Sequence, residues 1–322
     1  MPYITKPEQI KLIDSILDYI NTGSEIEVPQ GFYTPREIEI GEWIKDKNGK
    51  RVWIKSESGI TANGWLYPWY KFQKFLSTGI PQFTVYTKGN GKLPFFSFSA
   101  LPGAKFCPGA GECLKWCYSF KCWRYPDAFF RQIQNTILLM SESGRQHLTD
   151  KFNAVVPDGV DFRLYVDGDF DSLATMRFWF TLLESRPNVR AYGYSKSWEI
   201  FTAYEKQYTF PANYELNRSS GSKFANTTGG ASIPTSKLAQ QIAKLPVFRG
   251  DFIAVPSASK MPDVLTHRPE FNVWAKQLRE RAKLYGIKRA FVCPGKCGNC
   301  TPTGHACGSK RFKDVPVIIG IH

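Results

Sequence analysis

The chain lacks several features that would assign it to a common class at once. Its 322 residues contain no run of about 18 apolar residues, so no membrane-spanning helix is expected. The first residues lack the apolar core of a signal peptide, and we therefore expect a cytoplasmic protein. There is no Walker loop, no nucleophile elbow and no His-Glu-x-x-His motif, which argues against P-loop nucleotidases, serine hydrolases and zinc proteases.

Cysteine is absent from the sequence outside two short segments. The eight cysteines are Cys107, Cys113, Cys117, Cys122, Cys293, Cys297, Cys300 and Cys307. A metal ion or an iron–sulfur cluster needs converging thiolates, whereas cysteines that only fill a core are scattered. Disulfides are the alternative, but they are typical of small secreted domains, and this chain is large and shows no sign of secretion. We therefore predict a metalloprotein.

Acidic residues are also comparatively few. The sequence has 42 Lys and Arg against 28 Asp and Glu, which leaves a formal charge of +14. Such an excess suits a phosphate-rich partner, and nucleic acid is the partner that we predict. No block of five or six like charges occurs, so a basic soluble surface is the alternative interpretation.

The hydrophobic pattern predicts two domains. Residues 1–90 read as a small α+β region, with a helix over 10–20 and a hairpin formed by 38–44 and 52–54 around an Asn-Gly turn. Residues 91–322 show strands that alternate with helices, and this domain contains both cysteine segments. We expect the second domain to be the iron–sulfur domain.

The second domain is predicted to be α/β with a parallel sheet. Its expected strands are 95–99, 162–166, 189–194, 214–217, 252–255 and 289–292. A helical stretch over 126–156 is expected to break at Ser143-Gly144. An open doubly wound sheet and a partial (β/α)6 barrel both fit this pattern. Either fold collects its chemistry in the loops after the carboxyl ends of the strands, where both cysteine segments fall.

The first cysteine loop has intervals of five, three and four residues between Cys107, Cys113, Cys117 and Cys122. Three thiolates from one loop can hold three irons of a [4Fe–4S] cluster and leave the fourth iron open for a ligand. The alternative is a zinc site that also uses Cys122, although the spacing differs from the paired Cys-x-x-Cys knuckles of a zinc ribbon.

The second cysteine loop has intervals of three and two residues, and Cys307 follows after six more. Four protein ligands close a metal site, which suits a structural zinc ion or an auxiliary [4Fe–4S] cluster. His305 could replace one of the cysteines. The sequence leaves the choice between zinc and iron open.

The order of these features resembles the layout of radical S-adenosylmethionine enzymes. In those barrels the cluster loop follows the first strand, and a Gly-Gly-Glu-like turn after the second strand binds the methionine end of the cofactor. The resemblance implies a partial (β/α)6 barrel in which Gly168 and Asp169 bind S-adenosylmethionine. It also implies that Arg218 and Ser219, which end the fourth strand, contact the cofactor's ribose.

Two further polar residues follow strands and are our candidate catalytic residues. Lys196 comes just after the third strand and could bind a carboxylate or phosphate, although a solvated loop lysine is the alternative. Ser257 follows the fifth strand. We expect both residues to lie near the cysteine loops, because the carboxyl ends of parallel strands meet at one edge of a sheet.

Several segments resemble a phage protein family named after gene product eighty-eight. They are Asn90–Ala110, Cys113–Tyr118, Gly168–Phe170, Tyr194–Ser197 and the second cysteine cluster. The resemblance covers about residues 90–310, and it implies a phage or mobile-element origin, hence the host cytoplasm, and a radical-enzyme-like barrel.

The function predicted from these features is that of an iron–sulfur enzyme similar to radical S-adenosylmethionine enzymes. It would modify a nucleic acid or nucleotide and would need an electron donor. One alternative is a non-catalytic nucleic-acid-binding protein stabilised by zinc. The other is an iron–sulfur redox protein without S-adenosylmethionine chemistry.

Overall fold

The computed structural model describes residues 4–61, 63–89, 95–225, 231, 233–295, 297, 300 and 305–321. The helices are α1 (Lys6–Thr22), α2 (Leu66–Thr78), α3 (Pro126–Met140), α4 (Glu142–Val155), α5 (Leu173–Glu184), α6 (Trp198–Glu205), α7 (Lys237–Ile242) and α8 (Arg268–Leu284). The strands are β1 (Arg36–Lys45), β2 (Arg51–Thr61), β3 (Thr87–Lys88), β4 (Phe96–Ser97), β5 (Asp161–Leu164), β6 (Arg190–Ser195), β7 (Tyr214–Ser219), β8 (Phe248–Pro256), β9 (Phe291–Val292) and β10 (Val317–Ile321). None of the helices in these ranges combines the length and the apolar character needed to cross a membrane.

The chain divides into two compact units. The first runs from the N-terminus to Phe83 and also includes Cys122–Ile133, while the second comprises Thr84–Lys121 and the chain from Gln134 onwards. The segment Cys122–Ile133 joins the first unit because its aromatic side chains pack into that unit's core. The ring of Phe130 lies 6.0 Å from that of Phe32 and 5.1 Å from that of Phe72.

The first unit contains the predicted helix and the predicted hairpin. Helix α1 begins with a capping box, in which Thr5 and Glu8 exchange backbone and side-chain hydrogen bonds, and it ends at Gly23 in the left-handed conformation. Strands β1 and β2 pair antiparallel around the Asn48-Gly49 turn. The hairpin is largely exposed to solvent.

The second unit is built on an eight-stranded sheet in the order β3-β4-β5-β6-β7-β8-β10-β9. Only β3 is antiparallel to its neighbour, so the predicted α/β class with a large parallel sheet is confirmed. Within the described ranges no ladder joins β3 to β9, and the sheet is therefore open.

Two details of this sheet and its helices differ from the sequence-based expectation. The short strand β3 and strand β10 were both missed. Strand β10 lies between the fifth and sixth predicted strands because the chain returns there after the second cysteine loop. The helical break falls at Ser141, where the hydroxyl accepts a hydrogen bond from the Gly144 amide at 3.0 Å. A serine N-cap starts a new helix there, so the break precedes the predicted Ser143-Gly144.

The two faces of the sheet are covered differently. On one face, Ile253, Val255 and Ile318 pack against apolar residues of α8. On the other face, Tyr192, Phe252 and Val317 pack against residues of the second cysteine loop. Because side chains alternate along each strand, the sheet separates a helical layer from a layer formed by loops.

Candidate functional site

One cavity of about 390 Å³ lies at the carboxyl ends of the parallel strands. Residues that follow several different strands line it, because those ends meet at one edge of the sheet. The lining residues used below are Cys107, Cys113, Cys117, Tyr118, Lys121, Arg163, Gly168, Asp169, Tyr194, Lys196, Ser219, Cys293 and Cys297. Both cysteine loops therefore border the same cavity.

Most of the residues singled out from the sequence meet at this cavity. Three cysteines of the first loop line it, and so do Gly168, Asp169, Lys196 and Ser219. Cys122 is not among the described lining residues, and its contacts assign it to the first unit. The first loop thus contributes three thiols to the cavity rather than four.

The first cysteine loop is bonded by its backbone to the loop that follows β7. The amides of Gly111 and Cys113 donate to the Gly221 carbonyl at 3.1 and 3.2 Å, and the Lys223 amide donates to the Gly109 carbonyl at 3.0 Å. A Cβ atom at Gly109 would lie 1.7 Å from the Lys196 carbonyl oxygen. Glycine is therefore required at this position, because the backbone after β6 passes too close for any side chain.

The thiols of the first loop are shielded from water. Burial raises the pKa of Cys107 and Cys113, nearby Asp169 adds to the effect, and the Lys196 ammonium opposes it. The charge of Cys117 acts on both of these thiols, which shows that the three sulfur atoms share one neighbourhood. Without a metal, Cys107 and Cys113 are protonated at neutral pH, and metal binding must displace these protons.

The second cysteine loop gathers its thiols over the aromatic face of the sheet. Burial raises the pKa of Cys307 to about 11, although a hydrogen bond from Tyr194 opposes this increase. The Gly295 amide donates to the Cys293 sulfur and the Ala306 amide donates to the Cys300 sulfur, both at 3.4 Å. Amide hydrogen bonds of this kind stabilise the charge of metal-bound thiolates.

Asp169 is a buried carboxylate at the centre of the cavity wall. Its Oδ1 accepts from the Ser195 hydroxyl at 2.7 Å and from the Phe170 amide at 2.8 Å, and its Oδ2 accepts from the Lys196 amide at 2.7 Å. Burial raises its pKa, and these hydrogen bonds oppose the increase. Asp169 thereby holds the turn after β6 in the conformation that presents Lys196 to the cavity.

The charged groups of the cavity are mostly cationic. The Lys196 ammonium donates to the Ser219 hydroxyl at 2.8 Å. The Arg163 guanidinium donates to the Tyr118 hydroxyl at 3.1 Å and lies 4.7 Å from the centre of the Tyr194 ring. With Lys121, three cations line the cavity against the single carboxylate of Asp169, so the cavity favours an anionic ligand.

Arg163 was not singled out from the sequence, although the structure places it at the cavity. It lies on β5 between the buried residues Phe162 and Leu164, so the alternation of the strand turns it to the opposite face. Its buried Nε has no hydrogen-bond partner within the described ranges. The available signal was a charged residue between two apolar residues of a predicted strand.

Two residues singled out from the sequence do not face the cavity. The Arg218 guanidinium pairs with Asp251 at 2.6 and 3.0 Å and donates to the Ala239 carbonyl, so it is not available for the predicted ribose contact. The Ser257 hydroxyl donates to the Ser259 carbonyl at 2.8 Å and accepts from Trp274 at 3.0 Å. Along β7, Ser219 faces the cavity, and alternation turns its neighbour Arg218 away.

A preformed site for a single metal ion is not found in the described ranges. No group of three His, Cys, Asp or Glu side chains converges there closely enough to hold one ion. In a tetrahedral zinc site the ligand sulfurs lie about 3.8 Å apart, since Zn–S bonds are about 2.3 Å long. A [4Fe–4S] cluster places its thiolates farther apart, because each binds a different iron. The predicted metal ligands stay a prediction.

A comparison with protein families identifies the chain. Residues 76–243, more than half of the chain, match the model of the gene product 88 family. The chain belongs to the gene product 88 family. The resemblance seen in the sequence is thereby confirmed, and the match includes the first cysteine loop, Asp169, Lys196 and Ser219 but ends before the second cysteine loop. No curated protein and no solved structure matches the chain.

Proposed function

We propose that this gene product 88 protein is an iron–sulfur enzyme of the radical S-adenosylmethionine type. Cys107, Cys113 and Cys117 would hold a [4Fe–4S] cluster whose fourth iron faces the cavity. One observation carries the proposal: three thiols from one loop border a cavity that also contains Asp169 and Lys196. A site with three thiols and adjacent polar groups suits a cluster that binds a further ligand.

The arrangement of the thiols favours a cluster over zinc in the first loop. The three cysteines surround part of a cavity of about 390 Å³ and do not converge on one point. The nearest candidate for a fourth ligand in the loop, Cys122, groups with the other unit. A closed zinc site needs four converging ligands, and a cluster with an open iron needs three.

The chain's own residues would bind and orient the cofactor. When bound, such a cluster supplies the electron for reductive cleavage of S-adenosylmethionine. Gly168 offers backbone groups at the cavity wall in the left-handed conformation, and Asp169 offers carboxylate oxygens beside them. Lys196 and Ser219 offer an ammonium and a hydroxyl that suit a carboxylate or phosphate. Arg218 has no place among these cofactor contacts, because its guanidinium is paired with the Asp251 carboxylate.

We also propose that the large sheet curves as a partial (β/α)6 barrel. Strands β4 to β8 are neighbours in chain order, whereas a doubly wound sheet reverses its order in the middle. The cysteine loops cover one face of this sheet and helix α8 covers the other, as the inside and the outside of a barrel require. In the sheet, β10 lies between β8 and β9, which differs from a simple six-stranded barrel.

The second loop would hold a second centre, either zinc or an auxiliary [4Fe–4S] cluster. Cys293 and Cys297 border the same cavity as the first loop. Arg163 lies between the loops, since its charge acts on Cys297 while its guanidinium donates to Tyr118. The second centre would therefore form part of the wall around the bound substrate.

The substrate class that we propose is a nucleotide or nucleic acid. Three cations against one carboxylate favour an anionic group in the cavity, and the chain carries a formal charge of +14. Radical chemistry would also require an external electron donor. The protein would act in the cytoplasm, which for a phage-encoded protein is that of the host.

The proposal is tested by the iron, sulfide and zinc content of protein purified without oxygen. We expect about four irons and four sulfides per chain from the first loop, and they should disappear in a Cys107/Cys113/Cys117→Ala variant. The matched control is Cys122→Ala, which should keep them. About two zinc ions per chain without sulfide would contradict the proposal and favour a zinc-stabilised binding protein.

A second measurement separates the enzyme from an iron–sulfur redox protein. With a strong reductant, the loaded protein should form 5′-deoxyadenosine from S-adenosylmethionine, and Cys113→Ala should abolish this formation. Lys196→Met should weaken S-adenosylmethionine binding in a direct binding assay while the iron content stays unchanged. A fully loaded protein that forms no 5′-deoxyadenosine would contradict the radical chemistry and leave the cluster in place.

A further inference from the structure

The β1–β2 hairpin exposes several large aromatic and aliphatic side chains to solvent. It is a two-stranded sheet, and a hairpin of this kind is marginally stable when nothing packs on it. Trp43 is 64% exposed and Trp53 is 36% exposed. Large side chains in such positions are typical of a surface that binds a partner.

One face of the hairpin combines the two tryptophans with positive charge. Trp43 pairs with Trp53 across the strands, and the next pair on the same face is Lys45 with Arg51. The two indole rings lie 5.6 Å apart, and both basic residues are exposed. The face therefore places flat aromatic surface directly beside two cations.

The turn adds two more cations and is held rigidly. The Asp46 carboxylate accepts from the Asn48 and Lys50 amides, each at 2.9 Å, and Gly49 is in the left-handed conformation. Asp46 is thus engaged by the turn backbone, while Lys47 and Lys50 are exposed. In the part of the chain that the structure describes, Lys45, Lys47, Lys50 and Arg51 form no ion pair.

We propose that this face of the hairpin, defined by Trp43, Trp53, Lys45 and Arg51, binds single-stranded nucleic acid. Unpaired bases stack on exposed aromatic rings, and neighbouring cations neutralise the phosphates. A duplex satisfies only the charges, because its bases are already stacked on one another. The binding site goes beyond the proposed cluster chemistry and does not depend on it.

The opposite face of the hairpin has a different character. It carries Ile40, Ile44, Val52 and Ile54, which are 37–46% exposed, together with the acidic Glu42. Between Ile40 and Ile44 on one strand and Val52 and Ile54 on the other, the register places no cation, so the nucleic acid is assigned to the tryptophan face.

The test is the binding of fluorescein-labelled oligothymidylate of about 20 nucleotides to the full chain at about 50 mM salt. We expect Trp43→Ala/Trp53→Ala to weaken binding about tenfold or more, because base stacking is lost. Lys45→Glu/Arg51→Glu should also weaken binding and reduce the slope of log Kd against log salt by about 1.4. Neither change touches a buried residue, and unchanged melting temperatures would show that the fold is intact.

Matched control variants test whether the effect belongs to the hairpin. Tyr67 is 72% exposed on α2, and Lys151 and Lys244 are exposed in the second unit. Tyr67→Ala and Lys151→Glu/Lys244→Glu should leave the affinity within about twofold, since all three residues lie outside the hairpin face that carries the two tryptophans. The metal-free chain should bind as the loaded chain does, so failure of the cluster proposal would not affect this test.

Three outcomes would overturn the proposal. One is affinity that the tryptophan variant leaves unchanged, because the aromatic rings would then play no part. Another is a duplex of the same length binding as tightly as the single strand. The third is a dimer in sedimentation analysis that the tryptophan variant converts to a monomer, which would make the hairpin an interface between copies.

Discussion

The two cysteine loops border one cavity but are held in different ways. The first loop is bonded through its backbone to the loop after β7. It also passes close to the backbone after β6, where the contact at Gly109 excludes any side chain. The second loop rests its cysteines on the aromatic residues Tyr192, Tyr194 and Phe252 of the sheet. Hydrogen bonds anchor the second loop as well, from the Cys293 amide to the Ile318 carbonyl and from Asn217 to the Cys307 carbonyl, both at 2.8 Å, but this loop differs in packing on aromatic rings of the sheet.

This difference accounts for the number of thiols that each proposed centre uses. Backbone bonding positions Cys113 beside the cavity but leaves space on its open side, where Asp169 and Lys196 lie. Packing on the sheet covers one side of the second group, whose Cys293 and Cys297 also border the cavity, and burial raises the pKa of all four of its thiols. An open centre suits ligand binding, and an enclosed one suits a structural or electron-transfer role.

The largest expected effect is the loss of metal from one cysteine loop when a cysteine of that loop is replaced, while the other loop keeps its metal. Cys113→Ala should remove the iron of the first loop and keep the metal of the second. Cys307→Ala should remove the metal of the second loop and keep about four irons in the first. Metal and sulfide analysis measures both. A single variant that empties both loops would show that the two groups share one centre, contrary to the comparison above.

The next largest effect concerns Arg218, which supports β7 beneath the first loop. Arg218→Ala should lower the free energy of unfolding by about 3–5 kcal/mol, because it leaves the buried Asp251 carboxylate unpaired. Urea denaturation measures the loss. The matched control, Arg218→Met with Asp251→Leu, should recover much of the stability. If Arg218→Ala instead weakened S-adenosylmethionine binding and left the stability unchanged, the result would indicate that Arg218 contacts the cofactor.

A smaller effect is expected at the contact of Gly109 with the backbone after β6. Gly109→Ala should destabilise the protein by about 1–3 kcal/mol and lower the iron content of the first loop, because the loop must move away from Lys196. The second loop should keep its metal. The control is Gly64→Ala, where an added Cβ meets nothing within 4 Å. Equal losses in the two variants would contradict the backbone contact.

The smallest effect is expected at Ser195. Ser195→Ala removes one hydrogen bond to Asp169 and the acceptor of the Ser197 amide, so we expect a loss of about 1 kcal/mol in urea denaturation. The exposed Ser77→Ala serves as the control and should change stability by less than about 0.5 kcal/mol. An effect of Ser195→Ala on the second loop's metal would contradict the separate support of the two loops.

Periodicity predicted most of the fold, including the hairpin and all six strands that were expected in the second unit. It missed β10, because a short apolar run near the end of a chain carries no sign of the strands beside which it will lie. The sequence also carried no sign that Cys122 groups with the first unit and the other three cysteines with the second. The cause of this grouping is the packing of distant aromatic residues around Phe130, not the local spacing.

The site was predicted in part, and the successes share a cause. Gly168, Asp169, Lys196 and Ser219 meet because each follows a strand, and parallel strands bring such positions to one edge. The sequence predicted that both Arg218 and Ser219 contact the cofactor. Side chains alternate along β7, and only Ser219 of these two lines the cavity. Arg163 was missed because it lies within β5, whereas the predicted site residues all follow strands or end them.

The sequence by itself determined the two cysteine loops, the α/β class and the family, because these depend on residue types, spacing and local periodicity. The tertiary structure decided that both loops border one cavity, that three thiols and not four face it from the first loop, and that Arg163 lies between the loops. These facts depend on strand order and on which face each side chain takes. Both are set by packing between residues far apart in the chain.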